Sequence, residues 1–392
     1  MPRRSTPVAI VGAGIGGLTL AVALRRRGIA ATVYEQVLEL REVGAAVALS
    51  ANGTRVLHSL GLRDRLAACS AVPTELVYRD WRTGDRVVSY RVGDDYAARF
   101  GAPYYGVHRA DLQIALAEAC GEDALRLDHR LVDLSAKAEG YELVFAHGAT
   151  AHADLVVGAD GVHSAVRRWV TEDDPAVYSG TSGFRGLVPV GSIPSVPDPG
   201  ALQFWMGPGA HLLHYPIGDG SLVNFLAVVD EPAQWPGSSW VQDISPDQLC
   251  APFDGWHPGV REVVATGLHK RWALFGQRPL QRWHRDGVVL LGDAVHAMLP
   301  HHGQGANQTI EDAATLASLL HRYEPHQALP RYESLRRART RSVQRSSWVA
   351  SELLHLPDGP DAEARDERLA AIHETLQWIH GHDAEAVAEA SG

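Results

Sequence analysis

Val8-Ala9-Ile10-Val11-Gly12-Ala13-Gly14-Ile15-Gly16-Gly17 is the stretch that sets the fold of this 392-residue chain. The four apolar residues read as a short buried strand. Glycines at G-x-G-x-x-G spacing (Gly12, Gly14 and Gly17) then make a tight turn into an apolar helix through Leu18 and Val22, which stops at Gly28. A second strand, Ala31-Thr32-Val33-Tyr34-Glu35, ends in an acid. In this order, Gly12 and Gly14 permit the turn and the approach of backbone N–H groups to a pyrophosphate, and Gly17 lets helix and strand pack closely. Glu35 stands where a carboxylate accepts hydrogen bonds from an adenosine ribose; it would repel a 2′-phosphate, so the held nucleotide should be FAD or NAD rather than NADP. The fingerprint alone is weak in a chain with 38 glycines. The strand, helix, second strand and acid that surround it give it weight.

Two further turns have the same grammar. Leu155-Val156-Val157-Gly158 leads into Ala159-Asp160-Gly161 and then a helix-like start with Arg167. Val288-Val289-Leu290-Leu291 leads into Gly292-Asp293, a break at Pro300, His301-His302, and the glycine-rich Gly303-Gln304-Gly305. From Ala306 and Asn307 the pattern turns helical, with Ile310, Ala313 or Ala314, Leu316 or Ala317, and Leu320 on one face. A carboxylate at a strand end and a glycine loop feeding a helix N-terminus suit a polar, anionic cofactor. Taken by itself, Asp293 reads equally well as the cap of a turn.

Composition narrows the field. The chain is 45% hydrophobic and carries a formal net charge of −10, which argues against nucleic acid and anionic membrane surfaces as partners. Cys69, Cys120 and Cys250 are far apart, so neither a disulfide framework nor a structural metal is expected. No apolar run reaches membrane-spanning length. The expectation is a cytoplasmic protein without a metal, monomeric or homodimeric.

Between the motifs, residues 76–102 read as short β runs with Gly84 and Gly93 as turns. His108-Arg109 opens a helix, where a cation is unfavourable unless an anion lies near. Residues 184–275 are β-rich, with proline and glycine turns. In His211-Leu212-Leu213-His214-Tyr215, alternation puts His211, Leu213 and Tyr215 on one face, a plausible aromatic-substrate lining, and Gln203 with Trp205 could share a face on the preceding strand. The basic run after Pro330, from Arg331 to Arg341, reads as the solvated face of a helix. Leu369, Ile372, Leu376 and Ile379 form one stripe of a last helix, and the Ala/Glu-rich tail from Asp383 is expected to fray.

The three ordered turns together resemble the single-component flavoprotein aromatic hydroxylases built like p-hydroxybenzoate hydroxylase. Within that group the pattern is nearest to salicylate hydroxylase, 3-hydroxybenzoate 6-hydroxylase and 6-hydroxynicotinate 3-monooxygenase. The resemblance implies an α/β (α+β overall) fold: a Rossmann-like FAD-binding domain from residues 1–75, 103–180 and 276–330. A β-sheet substrate domain (76–102 and 181–275) is inserted in it, and C-terminal helices (331–392) pack on it. It also implies that Gly12, Gly14, Gly17 and Glu35 hold the ADP half of FAD and that Arg109 lies along the cofactor. Asp160-Gly161 would serve FAD and a transient NADH or NADPH, and Asp293 the ribityl and pyrophosphate region. Pro300, Gly303, Gly305, Ala306 and Asn307 would border the flavin. The chain departs from the pattern at Ala46-Val47, where relatives commonly carry Gly-Ile and a polar residue, and at His301-His302.

The activity so implied is hydroxylation of a small phenol, hydroxybenzoate- or hydroxypyridine-like, with NAD(P)H and O2 through a flavin hydroperoxide. The protein must deprotonate the phenol, place it and exclude water. His211 is the expected general base, with Tyr215 beside it and His302 approaching from the loop. Two alternatives stay open at this point: the same fold acting on a non-phenolic or polycyclic substrate, and a flavin-binding protein without catalysis.

Overall fold

A computed structural model of the chain describes residues 7–40, 46–171, 176–235 and 239–391; residues 41–45 of the small-residue stretch before Ala46 lie outside it. The first strand is central in a six-stranded sheet ordered His284–Arg285, Val288–Leu290, Leu155–Gly158, Val8–Val11, Ala31–Tyr34, Leu125–Arg126. Only the His284–Arg285 edge is antiparallel. The three central strands, from Val288–Leu290 to Val8–Val11, are buried throughout, as parallel strands covered on both faces must be. Val11 pairs with Tyr34 on one side and Gly158 on the other, and Gly158 pairs with Leu290. The three motif turns therefore leave the sheet at one edge. The strand order switches there, which is where open α/β sheets bind ligands.

The helix Ile15–Arg26 packs on the helix Gly305–Arg322. Their contact needs a glycine: a Cβ on Gly16 would lie 2.2 Å from Thr309 Cγ2. A second sheet of eight strands stands beside the first: Val241–Asp243, Lys270–Gln277, Ala176–Pro189, Leu222–Asp230, Ala210–Ile217, Leu202–Gly207, Glu75–Asp80, Arg86–Arg91. It is antiparallel except where Leu202–Gly207 meets Glu75–Asp80. One face buries Phe184, Leu212, Phe225 and Ala227 with Val260 and Val264 of the helix Pro258–Ala265. A small sheet of Ala46–Leu49, Tyr105–His108 and Ser70–Ala71 bridges toward the first.

Four local expectations give way. Leu369 ends the helix Pro360–Leu369, while Ile372, Leu376 and Ile379 belong to a separate helix, Ile372–His380, so the four do not share one helical stripe. Asp94–Phe100 is a helix and not β, because Asp94 and Asp95 sit in its first turn and Tyr96 and Phe100, four apart, are buried together. The tail forms the helix Ala384–Ala390, held by buried Ala384 and Ala388 and a 2.8 Å ion pair between Arg27 and Glu385. The basic run belongs to the long helix Pro325–Leu354 but is not simply a solvated face. Arg336 and Arg339 point inward and are buried against the acids of the helix Gly305–Arg322.

Candidate active site

A cavity of about 460 Å³ opens where the two large sheets face each other. At one end it is walled by the three motif turns: Gly14, Ile15 and Gly16, then Ala159 and Gly161, then Leu291 and Asp293, with Arg109 alongside. Gly12 has φ +107°, and a Cβ there would lie 2.4 Å from the carbonyl oxygen of Ala159. A Cβ on Gly17 would lie 2.0 Å from the Gly12 oxygen, so both glycines are needed to close the turn. A Cβ on Gly14 would meet nothing within 4 Å: at this residue the backbone borders open space.

Glu35 takes hydrogen bonds from the Ala13 and Val37 amides at 2.7 and 3.1 Å and is not part of the cavity wall. Asp160 turns inward and accepts from the Ala165 and Val166 amides at 2.7 and 3.1 Å. Burial pushes its carboxyl up, against hydrogen bonds from Ser164 and the helix amides that favour the anion. Its carboxylate thus fixes the helix Ala165–Thr171, while its neighbours Ala159 and Gly161 face the cavity. Pro300, Gly303, Gly305 and Ala306 form the next section of wall, opposite Ala46, Val47 and Ala48. Asn307 lies behind that wall. It binds the Ser50 amide at 3.1 Å and the Ala48 and Gly303 carbonyls at 2.9 Å each, tying the loop to the small sheet.

At the other end, the cavity reaches the second face of the eight-stranded sheet. Cross-strand partners share a face, so three rows point inward: Tyr215 with Asn224, Leu213 with Leu226 and Arg185, and His211 with Val228 and Gly183. Tyr215, Asn224, Leu213, Leu226, Arg185 and Gly183 line the cavity with Trp272 and Met298. The Arg185 guanidinium lies 4.3 Å from the Trp272 ring centroid. Sequence reading passed over Arg185, Asn224 and Trp272. Only the alternation Gly183-Arg185-Leu187 carried a signal, that of an arginine on an otherwise apolar strand face.

Of the three candidate catalytic side chains, only Tyr215 lines the cavity. His211 is fully buried two rows from Tyr215, with one ring nitrogen 2.7 Å from His355 and the other 3.4 Å from His301. Both its nitrogens are engaged, so direct proton abstraction by His211 does not fit this geometry. His302 turns to Ser346 Oγ, 2.7 Å away, and is likewise outside the wall. Gln203 and Trp205 do share a face, but it is the one opposite His211: Trp205 donates to His214 at 3.1 Å.

A family model described as "FAD binding domain" matches residues 5–347. The chain belongs to that FAD binding domain family. The 3-amino-4-hydroxybenzoate 2-monooxygenase of Streptomyces cremeus is 42% identical, covering 98% of this chain and 97% of that one. The 3-hydroxybenzoate 6-hydroxylase 1 of Aquipseudomonas alcaligenes is 32% identical, covering 95% and 96%. Among solved structures, Klebsiella pneumoniae HpxO complexed with FAD and uric acid matches with TM-score 0.85 and 28% identity, covering 98% and 97%. The chain is an FAD-dependent monooxygenase of the aromatic hydroxylase type, with FAD as cofactor and NAD(P)H as co-substrate.

The residues present fit FAD. A long wall of glycine and alanine backbone, open at Gly14 and flanked by Arg109, accepts a flat, anionic dinucleotide without side-chain obstruction. Among the described residues no helix is long and apolar enough to cross a membrane, and no group of three His, Cys, Asp or Glu could hold a metal. The glycine turn gives a first prediction. Gly17→Ala should cost about 1–3 kcal/mol through overpacking against the Gly12 carbonyl. Its purified protein should hold less than the full complement of FAD by absorbance. Full flavin content with unchanged thermal stability would contradict this role.

Proposed function

We propose that this flavoprotein hydroxylates a small phenol bearing a carboxylate, of the 3-amino-4-hydroxybenzoate class. The observation that carries the reading is Arg185, stacked on Trp272 in an otherwise mainly apolar wall beside Tyr215 and Asn224. A planar guanidinium on that wall matches a benzoate carboxylate. Leu213, Leu226, Met298 and Trp272 match an aromatic ring, and Asn224 or Tyr215 a ring substituent. The 42% identity to the Streptomyces cremeus enzyme supports an amino-hydroxybenzoate over other phenols.

Bound FAD would supply the chemistry that passes electrons from NAD(P)H to O2 and so activates one of its oxygen atoms for transfer to the ring. The chain's own residues bind, orient and exclude water. The Gly14 backbone and Glu35 would hold the cofactor's ADP half, Arg109 would lie along it and Asp293 would hold its ribityl and pyrophosphate region, with the Asp160-Gly161 turn serving FAD and the visiting nicotinamide nucleotide. The turn from Pro300 through Gly303 to Gly305 and Ala306 would border the flavin, its position fixed by Asn307. Amides at the start of the helix Gly305–Arg322 favour negative charge there by about 0.3–1 kcal/mol. In this reading, segments around 1–75, 103–180 and 276–330 hold the cofactor and 76–102 and 181–275 the substrate, while 331–392 brace both, with His355, Leu354 and Leu376 packed on the substrate sheet. Tyr215 stays neutral, since burial, reinforced by Tyr104, pushes its hydroxyl well above the usual range, so it donates a hydrogen bond and does not act as a base.

NAD(P)H oxidation by the holoenzyme tests the reading across 3-amino-4-hydroxybenzoate, 3-hydroxybenzoate and uric acid. Stimulation should be strongest with the amino-hydroxybenzoate, with hydroxylation at its position 2. A preference for uric acid would refute it.

A further inference from the structure

Asn224 is only 6% exposed, lies in the cavity wall, and has no hydrogen-bond partner for its side-chain amide among the described residues. Every other buried carboxamide among those residues is held by the protein. Asn52 is bound to Ser50, Gln304 and Glu311, Gln203 to Arg79 and the Pro197 and Asp198 carbonyls, and Gln344 to the Gln277 and Ala297 carbonyls. A buried amide left unpaired is costly, so this one calls for a partner that enters the cavity. The Tyr215 hydroxyl beside it, also buried and in the wall, likewise has no partner among the described residues.

The sheet sets where this amide stands. Ala176–Pro189, Leu222–Asp230 and Ala210–Ile217 are successive strands. Asn224 lies between its cross-strand partners Leu187 and Tyr215, and Arg185 shares the face of Leu187 two residues back. Arg185, Asn224 and Tyr215 therefore present a cation, an amide and a hydroxyl in that order, on strands spaced about 4.8 Å apart. Around the ring of 3-amino-4-hydroxybenzoate the carboxylate, the amino group and the hydroxyl follow in the same order. An arylamine is uncharged near pH 7 and offers two N–H donors, for which a carboxamide oxygen is a neutral acceptor.

We propose that Asn224 is a specificity-determining residue whose Oδ1 accepts a hydrogen bond from the substrate's 3-amino group. This deepens, and rests on, the reading of the substrate as an amino-hydroxybenzoate. The bond also bears on the chemistry. Carbon 2 is meta to the hydroxyl, which feeds it no electrons, and ortho to the amino group, which does. Accepting from an N–H raises the electron density on nitrogen and keeps its lone pair in conjugation with carbon 2. The new C–O bond forms at carbon 2 with one atom of O2, and the proton on that carbon passes to solvent. The other oxygen atom leaves as water with two electrons from NAD(P)H. Activation through the amine requires no base at the phenol, and among the described residues no histidine lines the cavity.

Flavin absorbance titration of the oxidised holoenzyme tests the assignment, with 3-amino-4-hydroxybenzoate set against 3-methyl-4-hydroxybenzoate, whose methyl group is of similar size but has no N–H. The wild type should bind the amino compound about 10- to 100-fold more tightly, because the methyl group leaves the Asn224 carbonyl unpaired. Asn224→Leu should abolish or reverse that preference with FAD content near wild type. Its yield of hydroxylated product per NAD(P)H should fall with the amino compound, as the ring is less well placed. A wild-type ratio near one, which needs no folded variant, would overturn the role of Asn224. So would an unchanged ratio in Asn224→Leu. Either result leaves the proposed function standing as long as the wild type hydroxylates 3-amino-4-hydroxybenzoate at carbon 2. Absence of hydroxylation with every hydroxybenzoate would overturn both.

Discussion

Glu311→Ala is expected to remove about 3–5 kcal/mol of folding stability, the usual consequence of breaking a fully buried ion pair from one side. Glu311 is fully buried and accepts hydrogen bonds from Arg336, from Arg339 at 2.7 and 2.8 Å, and from Asn52 at 2.6 Å. Beside it, Asp312 accepts from Arg336 at 2.7 Å and from the Gly292 amide at 3.0 Å, and lies 2.6 Å from His296. This network fixes the helix Gly305–Arg322 against the helix Pro325–Leu354. Through Gly292 it also fixes the turn that presents Asp293 to the cavity. Removing Glu311 leaves two buried guanidiniums without their main counter-charge. Urea unfolding should show the loss, and replacing Glu311, Arg336 and Arg339 together by apolar residues of similar volume should recover much of it. Burial alone would raise the Glu311 carboxyl, but Arg336 and Arg339 outweigh it and hold it well below the usual range. A depressed folded-state pKa gives stability that is present above the unfolded value of about 4.3 and lost as pH falls below it. The gap between wild type and Glu311→Ala should therefore shrink in acid. A gap that widens below pH 4 would contradict the assignment.

Arg185→Leu should weaken 3-amino-4-hydroxybenzoate binding roughly 10- to 150-fold, corresponding to about 1.5–3 kcal/mol for hydrogen bonds to a charged group. The carboxylate sits on the ring carbon next to the one to be oxidised, so the loss should fall on KM and, through misplacement of that carbon, on kcat as well. Arg185→Lys should restore only part of the affinity, because an ammonium offers neither the planar fork nor the stack on Trp272. Flavin absorbance titration reads these affinities. Unchanged affinity in Arg185→Leu would place the carboxylate elsewhere.

What was legible in the sequence was local. Gly12, Gly14 and Gly17, the acid-ended strands and the loop from Pro300 to Gly305 carry their geometry in spacing, and the structure gathers their backbone at one sheet edge. Strand parity likewise put His211, Leu213 and Tyr215 on one face. Parity does not reveal what caps a face: His355 and His301, 144 and 90 residues from His211, claim both its nitrogens. Asn224 enters the site through its register with Tyr215, which no local pattern encodes. Arg336 and Arg339 read as solvated because Glu311 and Asp312, at least 24 residues away, neutralise them only in three dimensions.

The most direct measurement of the central claim is turnover of 3-amino-4-hydroxybenzoate by the FAD-loaded enzyme under oxygen-18 gas, with mass analysis of the product and a count of NAD(P)H consumed. A single labelled oxygen on the aromatic ring for each NAD(P)H is the predicted result. NAD(P)H oxidation yielding only hydrogen peroxide, or no stimulation by any phenolic carboxylate, would contradict it.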